Sequence, residues 1–391
     1  MNKQKVPKLR FPEFTGEWEI LELEKLIKIC KTKYNPLKEN INYKCIELEN
    51  ISKKTGILLG YTDSKKQKSI KNRFQINQVL FGKLRPYLKK YWKANFEGVC
   101  SSEIWVLEGI NISNHYLYEL IQTNKFNYIA NVSSGSKMPR ADWNYMANIP
   151  FKFPPLPEQE KIADFLTLFD KEIELEEKKL ELLKENKKGY MQKIFSQEIR
   201  FKNDNGNDYP QWEEKKLGEV LIQGSKQKVK NISDYNKLTI KLNLKGLIKS
   251  KPTRKMADRR PFYIRKKGEI IIGKQNYFNG SIAIVSEEFD GFICSNAIMS
   301  FKVKKDNIEY IYNYISQNNY LEKYKFLANG TGQKELSEKD FLNFKMILPS
   351  LPEQEKIANF LSMAEEEIEL MENKIEKLKE IKKGLLQQMF I

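Results

Sequence analysis

A 44-residue segment occurs twice in this chain. Residues 153–196 read FPPLPEQEKIADFLTLFDKEIELEEKKLELLKENKKGYMQKIFS and residues 348–391 read LPSLPEQEKIANFLSMAEEEIELMENKIEKLKEIKKGLLQQMFI, offset by 195 without a gap and identical at 26 positions. Duplication at half-chain spacing restricts the fold to two similar halves. Each copy opens with a proline, Pro157 or Pro352, tolerated at the first helical position because that N–H is unpaired anyway. Glu158 and Glu160, or Glu353 and Glu355, then set negative charge against the positive end of the helix dipole.

The residues that follow alternate by four and three. In the first copy the stripe runs Ile162, Leu166, Phe169, Ile173, Glu176, Leu180, Leu183, Lys187, Tyr190, Ile194, and in the second Ile357, Leu361, Ala364, Ile368, Met371, Ile375, Leu378, Lys382, Leu385, Met389. This spacing predicts coiled-coil helices over 156–197 and 351–391. The expected interface is Ile162, Leu166, Phe169, Ile173, Leu180 and Leu183 against Ile357, Leu361, Ile368, Met371, Ile375 and Leu378. The competing reading, an ordinary core helix on each lobe, leaves most of a stripe about 60 Å long uncovered at 1.5 Å per residue. The breaks at Lys187 and Lys382 are expected to fix register, and Gly189 and Gly384 to mark a loosening or a close contact.

The remaining sequence repeats more faintly. Arg10-Phe11 before Trp18-Glu19 echoes Arg200-Phe201 before Trp212-Glu213, VLFGK at 79–83 echoes IIIGK at 270–274, and Cys100-Ser101 echoes Cys294-Ser295. The order is lobe (1–155), helix (156–197), lobe (198–350), helix (351–391). The expected fold class is α+β: two α/β lobes joined by two long antiparallel coiled-coil helices. An antiparallel return turns the tandem repeat into a pseudo-two-fold and brings the chain's two ends together.

Charge is divided between these parts. The 391 residues carry a net +17, of which 1–156 hold +12 and 197–351 hold +10, while 157–196 and 352–391 together hold −5. Two basic lobes on acidic helices suit a polyanion, most often nucleic acid, against the plainer reading of a solvated lysine-rich surface. With 40% hydrophobic residues the lobes have material for real cores. No apolar run reaches the roughly 18 residues of a membrane span, and MNKQKVPKLR lacks a signal peptide's apolar region, so a cytoplasmic location is expected.

Catalytic signatures are scarce. His115 is the single histidine, and Cys30, Cys45, Cys100 and Cys294 have no CxxC spacing, which argues against zinc, disulfides and histidine-paired nucleophiles. Residues 268–275, GEIIIGKQ, mimic a phosphate-binding loop but end in Gln, and their Ile run favours a strand. Candidate DNA contacts are basic, aromatic and amide residues in turn-prone segments. In the first lobe these are Lys83, Arg85, Tyr87, Lys137 and Arg140. In the second they are Arg254, Lys255, Arg259, Arg260, Lys274, Gln275, Asn276, Tyr277, Thr331, Gln333 and Lys334. Arg and Lys suit guanine edges, Asn and Gln adenine edges, and the other lysines phosphates.

At LPEQEKIADFL and LPEQEKIANFL, with their coiled-coil tails, the chain resembles the DNA-specificity subunit of type I restriction–modification systems over essentially its whole length. GTGQKELS (330–337) looks like the family's loop upstream of that motif, and GSKMPRAD (135–142) like a divergent version. The resemblance implies a non-catalytic subunit with two target-recognition domains, reading a bipartite double-stranded DNA sequence with one half-site per lobe. It implies two adenine-N6 methyltransferase (modification) subunits and restriction (translocase/nuclease) subunits as partners. S-adenosylmethionine, ATP and magnesium are expected there, with no cofactor or metal in this chain and a nucleoid-associated place in the cytoplasm. The alternatives are a stand-alone nucleic-acid-modifying enzyme and a coiled-coil adaptor that binds DNA non-specifically.

Overall fold

The computed structural model describes residues 6–132, 137–250, 260–328 and 335–391. The chain forms two compact units, Met1–Lys179 with Met371–Ile391, and Leu180–Leu370. Each unit holds one lobe and a segment of each long helix. The long helices run unbroken over Leu156–Phe195 and Leu351–Met389.

The lobes share one framework. In the first unit an antiparallel sheet has the spatial order Ile27–Ile29, Ile104–Gly109, Val79–Gly82, Tyr91–Lys93. In the second the same order is Leu221–Gln223, Ile298–Val303, Ile270–Gly273, Ile282–Ile284. The central strands are covered on both faces, so they read as apolar runs and not as alternations. Val79 and Phe81 belong to the main core, while Leu80 belongs to a second core with Ile46 and Phe74. Ile270 and Ile272 divide from Ile271 in the same way. The Ile run of the phosphate-loop mimic, Ile270–Ile272, is therefore a buried strand.

The lobes differ in their outer sheets. The first has five strands in the order Lys33–Tyr34, Lys71–Phe74, Gly98–Cys100, Lys44–Ile46, Thr62–Asp63. The second has two antiparallel pairs, Leu238–Ile240 with Leu247–Lys249 and Phe262–Ile264 with Ile293–Ser295. In both, a two-stranded ribbon precedes the long helix: Glu19–Glu22 with Pro150–Phe153, and Glu213–Lys216 with Lys345–Leu348.

Within each unit the helix segments run antiparallel. In the first, Asp170 pairs with Lys382 at 2.6 Å, and Glu176 with Lys374. In the second, Lys187 pairs with Glu365, and the Tyr190 and Phe360 rings meet edge-on at 5.3 Å. Lys187 and Lys382, the breaks in the stripe, thus each face a carboxylate on the opposite helix. Phe169, Ile173, Leu180, Leu183, Ile368, Met371, Ile375 and Leu378 are buried or half-buried. Ile162 and Leu166 lie in the first lobe's core, which also takes in Leu386 and Met389 of the second long helix, and Ile357 and Leu361 lie in the second lobe's core with Ile194 and Phe195 of the first. A Cβ at Gly189 or Gly384 would meet nothing within 4 Å, which removes close contact as the reason for either glycine.

The helix C-termini also enter lobe cores. Phe390 stacks on Tyr116 with ring centroids 5.0 Å apart, and Phe195 meets Tyr310 at 5.7 Å. Near the chain's two ends, the Leu9 N–H donates to Gln388 O at 3.0 Å. Among the described residues no helix is long and apolar enough to cross a membrane.

Candidate nucleic-acid interface

The repeated PEQE motif is the joint between lobe and helix. Glu158, 1% exposed, accepts from Arg10 Nε and Nη2 at 2.7 Å each and from Trp18 Nε1 at 3.3 Å. Glu353, fully buried, accepts from Arg200 Nε at 3.2 Å and Nη2 at 2.8 Å and from Trp212 Nε1 at 2.9 Å. The faint Arg-Phe…Trp echo is thereby explained, since each pair supplies the donors that a buried carboxylate requires. The next residue does similar work. Gln159 accepts from the Ser113 N–H and donates to Pro154 O, while Gln354 accepts from the Asn307 N–H and donates to Pro349 O. Ser113 and Asn307 are the N-caps of equivalent helices, Asn114–Leu120 and Ile308–Ile315, so one glutamine orders a helix start in each lobe.

On this frame the candidate residues cluster around the strand that ends in Gly-Lys. In the first lobe the Ala141 N–H donates to Lys83 O at 2.9 Å, and the Arg85 N–H to Pro139 O at 2.7 Å. Arg140 grips Glu103 with two hydrogen bonds of 3.0 Å. Lys83 and Arg140 therefore come together at Glu103, with Arg85 held beside Arg140 through Pro139. Tyr87 stands 52% exposed on the 3₁₀ turn Pro86–Leu88, and Lys137 is exposed.

The second lobe repeats the geometry with other side chains. The Leu336 N–H donates to Lys274 O at 3.0 Å, and Gln275 Nε2 to Glu335 Oε1 at 3.0 Å. Gln275, Asn276 and Arg260 are exposed and Lys274 is half-buried. Tyr277 requires a correction. It is fully buried, its hydroxyl donates to Ile315 O at 2.8 Å, and its ring packs against Phe341 and Phe344, so it supports the turn from inside the core and meets no DNA. Arg254, Lys255, Arg259, Thr331, Gln333 and Lys334 lie outside the described residues.

Sequence reasoning missed a polar aromatic cleft in the first lobe, lined in part by Lys28, Lys31, Tyr43, Arg73 and Gln75 together with the acidic Glu97 and Glu108. Arg73 lies over the Tyr43 ring at 5.0 Å and donates to its hydroxyl. These residues come from the inner-sheet strands Ile27–Ile29 and Ile104–Gly109, the outer-sheet strand Lys71–Phe74 and the segments beside them, which no local spacing reveals. It also missed two hairpin tips, at Lys53–Lys54 and at Asn243–Lys245, whose only local signal is the glycine that follows, Gly56 or Gly246.

Groups suited to catalysis do not gather here. Burial pushes the Cys30 and Cys45 thiols up to about 11, where they stay protonated at neutral pH. Half-buried His115 has Nε2 at 2.7 Å from Thr167 Oγ1 and Nδ1 at 3.4 Å from Asp164. Among the described residues no three His, Cys, Asp or Glu side chains are placed to hold a metal ion.

Comparison with known proteins decides the family. The Type I restriction modification DNA specificity domain matches twice, over residues 15–185 and 209–380. This chain belongs to that family. The MjaX type I restriction enzyme specificity subunit of Methanocaldococcus jannaschii is 27% identical, covering 97% of this chain and 94% of the relative. The MjaVIII type I restriction enzyme specificity subunit of the same organism is 26% identical over 74% of this chain and 73% of its own. The type I S subunit from M. genitalium shares the fold with a TM-score of 0.57 at 16% identity, covering 99% of both chains. A chain from a type I R-M system solved for its complex assembly and conformational transition gives 0.54 at 17% identity, covering 95% of this chain and 97% of that one. The two domain copies each take in one lobe and most of one long helix, so the family's repeat is the repeat seen in the sequence.

Proposed function

We infer that this specificity-family chain reads a bipartite double-stranded DNA target, one half-site per lobe, and carries the methyltransferase and restriction subunits that act on that DNA. It supplies recognition and no catalysis. S-adenosylmethionine, ATP and magnesium belong to the partner subunits, and the place of action is DNA in the cytoplasm, at the nucleoid.

One observation carries this reading. Two lobes with the same framework and the same buried joint present different side chains at the same turn, Lys83-Leu84-Arg85 in one and Lys274-Gln275-Asn276 in the other. Shared scaffold with divergent contact residues is what separate readout of two half-sites requires. The long helices support the partner assignment. Beyond the buried stripe, Leu168, Leu175 and Leu182 stand 58–65% exposed at seven-residue intervals, and Met363 and Leu370 stand 69–70% exposed at matching positions of the second copy. A second apolar row on a paired helix suits further helices from another subunit.

Mapping methylated adenines across the genome with and without this chain tests the reading. Loss of one bipartite motif is expected. An unchanged methylation pattern, or methyl transfer by the purified chain alone, would refute it.

A further inference from the structure

Seven non-glycine residues among those described have a left-handed backbone, and five of them, Lys54, Arg85, Lys89, Asn243 and Leu244, lie at one kind of joint. Such positions are strained and persist where the surroundings over-determine them, often at functional sites. In the first lobe a hairpin closed by the Ile51–Leu58 bridge brings Lys54 (φ +67°) against the turn that Arg85 (φ +51°) opens and Lys89 (φ +50°) closes. The Lys54 N–H donates to Lys89 O at 2.9 Å, and the Tyr91 hydroxyl donates to Lys54 O at 3.0 Å. In the second lobe the tip of the Leu238–Ile240/Leu247–Lys249 hairpin rests on the equivalent turn. There the Asn243 N–H donates to Asn279 O at 2.8 Å and the Leu244 N–H to Gly280 O at 3.0 Å. Gly280 itself is left-handed at φ +69°, and a Cβ on it would lie 2.9 Å from Leu244 N.

The backbone is the same and the chemistry is not. The first joint carries Lys53, Lys54, Lys89 and Lys90, and Lys383 of the second long helix comes close enough to act on Lys89. Burial lowers the pKa of Lys89, and Lys54 and Lys383 push it the same way. Burial likewise lowers that of Lys90, helped by Lys53 and opposed by Glu49. Lys90 donates to Leu48 O, but Lys53, Lys54, Lys89 and Lys383 make no ion pair among the described residues. The second joint offers Asn243, Leu244 and Lys245, with Lys241 closing the tip, beside Asn276 and Asn279, so amides outnumber its two lysines.

We propose that Lys53, Lys54, Lys89 and Lys383 form a clamp for DNA backbone phosphates beside the half-site read by the first lobe, and that the second lobe's equivalent joint is no such clamp. The proposal rests on the DNA-reading function above. Convergent like charges held by a strained, hydrogen-bonded backbone gain most from an anion that arrives from outside, and compact ammonium groups suit phosphates as point charges. DNA is favoured over an acidic protein face because Lys89 closes the same turn that presents Arg85 and Tyr87, and Lys54 is hydrogen-bonded to Lys89.

The test is the salt dependence of binding by the full chain to a duplex carrying its mapped target, read by fluorescence anisotropy. Each phosphate contact contributes about 0.9 to the slope of log affinity against log salt, so K53Q/K54Q/K89Q/K383Q is expected to flatten it by about 3–4. The preference for the target over a duplex with a scrambled first half-site should stay unchanged. The same four positions changed to Arg keep the charge and should keep the slope, and K245Q in the second lobe should change it by at most about one. An unaltered slope in the Gln variant would overturn the proposal, and with loss of methyltransferase-subunit binding it would assign the lysines to a protein face. A flattened slope in the Arg variant would overturn it too. Absence of any target preference in the unaltered chain would instead refute the DNA-reading function and leave the slope comparison valid.

Discussion

The ammonium of Lys382 on the second long helix lies 2.6 Å from the carboxylate of Asp170 on the first. It also lies 3.2 Å from fully buried Glu119 and donates to Gln122 Oε1 at 3.2 Å. The Tyr91 hydroxyl shares its single proton between Lys54 O at 3.0 Å and Gln122 Oε1 at 3.2 Å, so polar contacts link the helix pair to the hairpin tip within the first unit. The equivalent pair in the second unit, Lys187 with Glu365, is simpler. Its carboxylate is 61% exposed, and Asn313 stands at the position equivalent to Glu119.

Two positions that look interchangeable in the repeat should therefore respond differently. Lys382→Met strands a buried carboxylate and should destabilise the first unit by about 3–5 kcal/mol. Lys187→Met breaks an exposed pair and should cost about 0–1 kcal/mol. Denaturant unfolding of both variants checks this, and equal losses would contradict the assigned asymmetry.

Glu119 also predicts a pH dependence. Burial raises its pKa, nearby Asp170 adds to the rise, and Lys382 opposes it. The folded state therefore binds the proton more tightly than the unfolded chain. Stability is favoured below the ordinary carboxyl range and lost as pH rises through the raised folded value. Glu119→Gln should be more stable than the unaltered chain at mildly alkaline pH and lose that advantage at mildly acidic pH, as measured by unfolding at both.

The joints should fail locally. Glu158→Ala removes the carboxylate from Trp18 and leaves Arg10 only backbone carbonyls such as Gly16 O, and Glu353→Ala removes it from Trp212 and leaves Arg200 only those of Tyr209 and Pro210. A cost of about 3–5 kcal/mol is expected for each. Hydrogen exchange should quicken around Phe11 in the first variant and around Phe201 in the second.

Gly189 and Gly384 offer a gain. Each lies inside an unbroken helix with open space where a Cβ would go. Gly189→Ala and Gly384→Ala should each stabilise by about 1 kcal/mol, read as a higher unfolding midpoint.

The duplicated segment made much of this legible. The four-three spacing located both long helices, and the echo of VLFGK in IIIGK fell on equivalent strands of the two lobes. Two kinds of feature stayed hidden. Glu158 and Glu353 read as dipole-favouring first-turn residues, because the arginine and tryptophan that bury them lie about 140 residues or more away in sequence. Tyr277 read as a contact because it follows Lys274-Gln275-Asn276, yet one residue further along a 3₁₀ turn the side chain points into the core. Lys54 and Leu244 share a backbone role that no side-chain similarity betrays.

The most direct measurement is the methylation pattern after residues 198–347 are exchanged for the second lobe of another specificity subunit. One half of the recognised sequence should change while the other half stays as it was. A change in both halves, or in neither, would contradict the assignment of one half-site to each lobe.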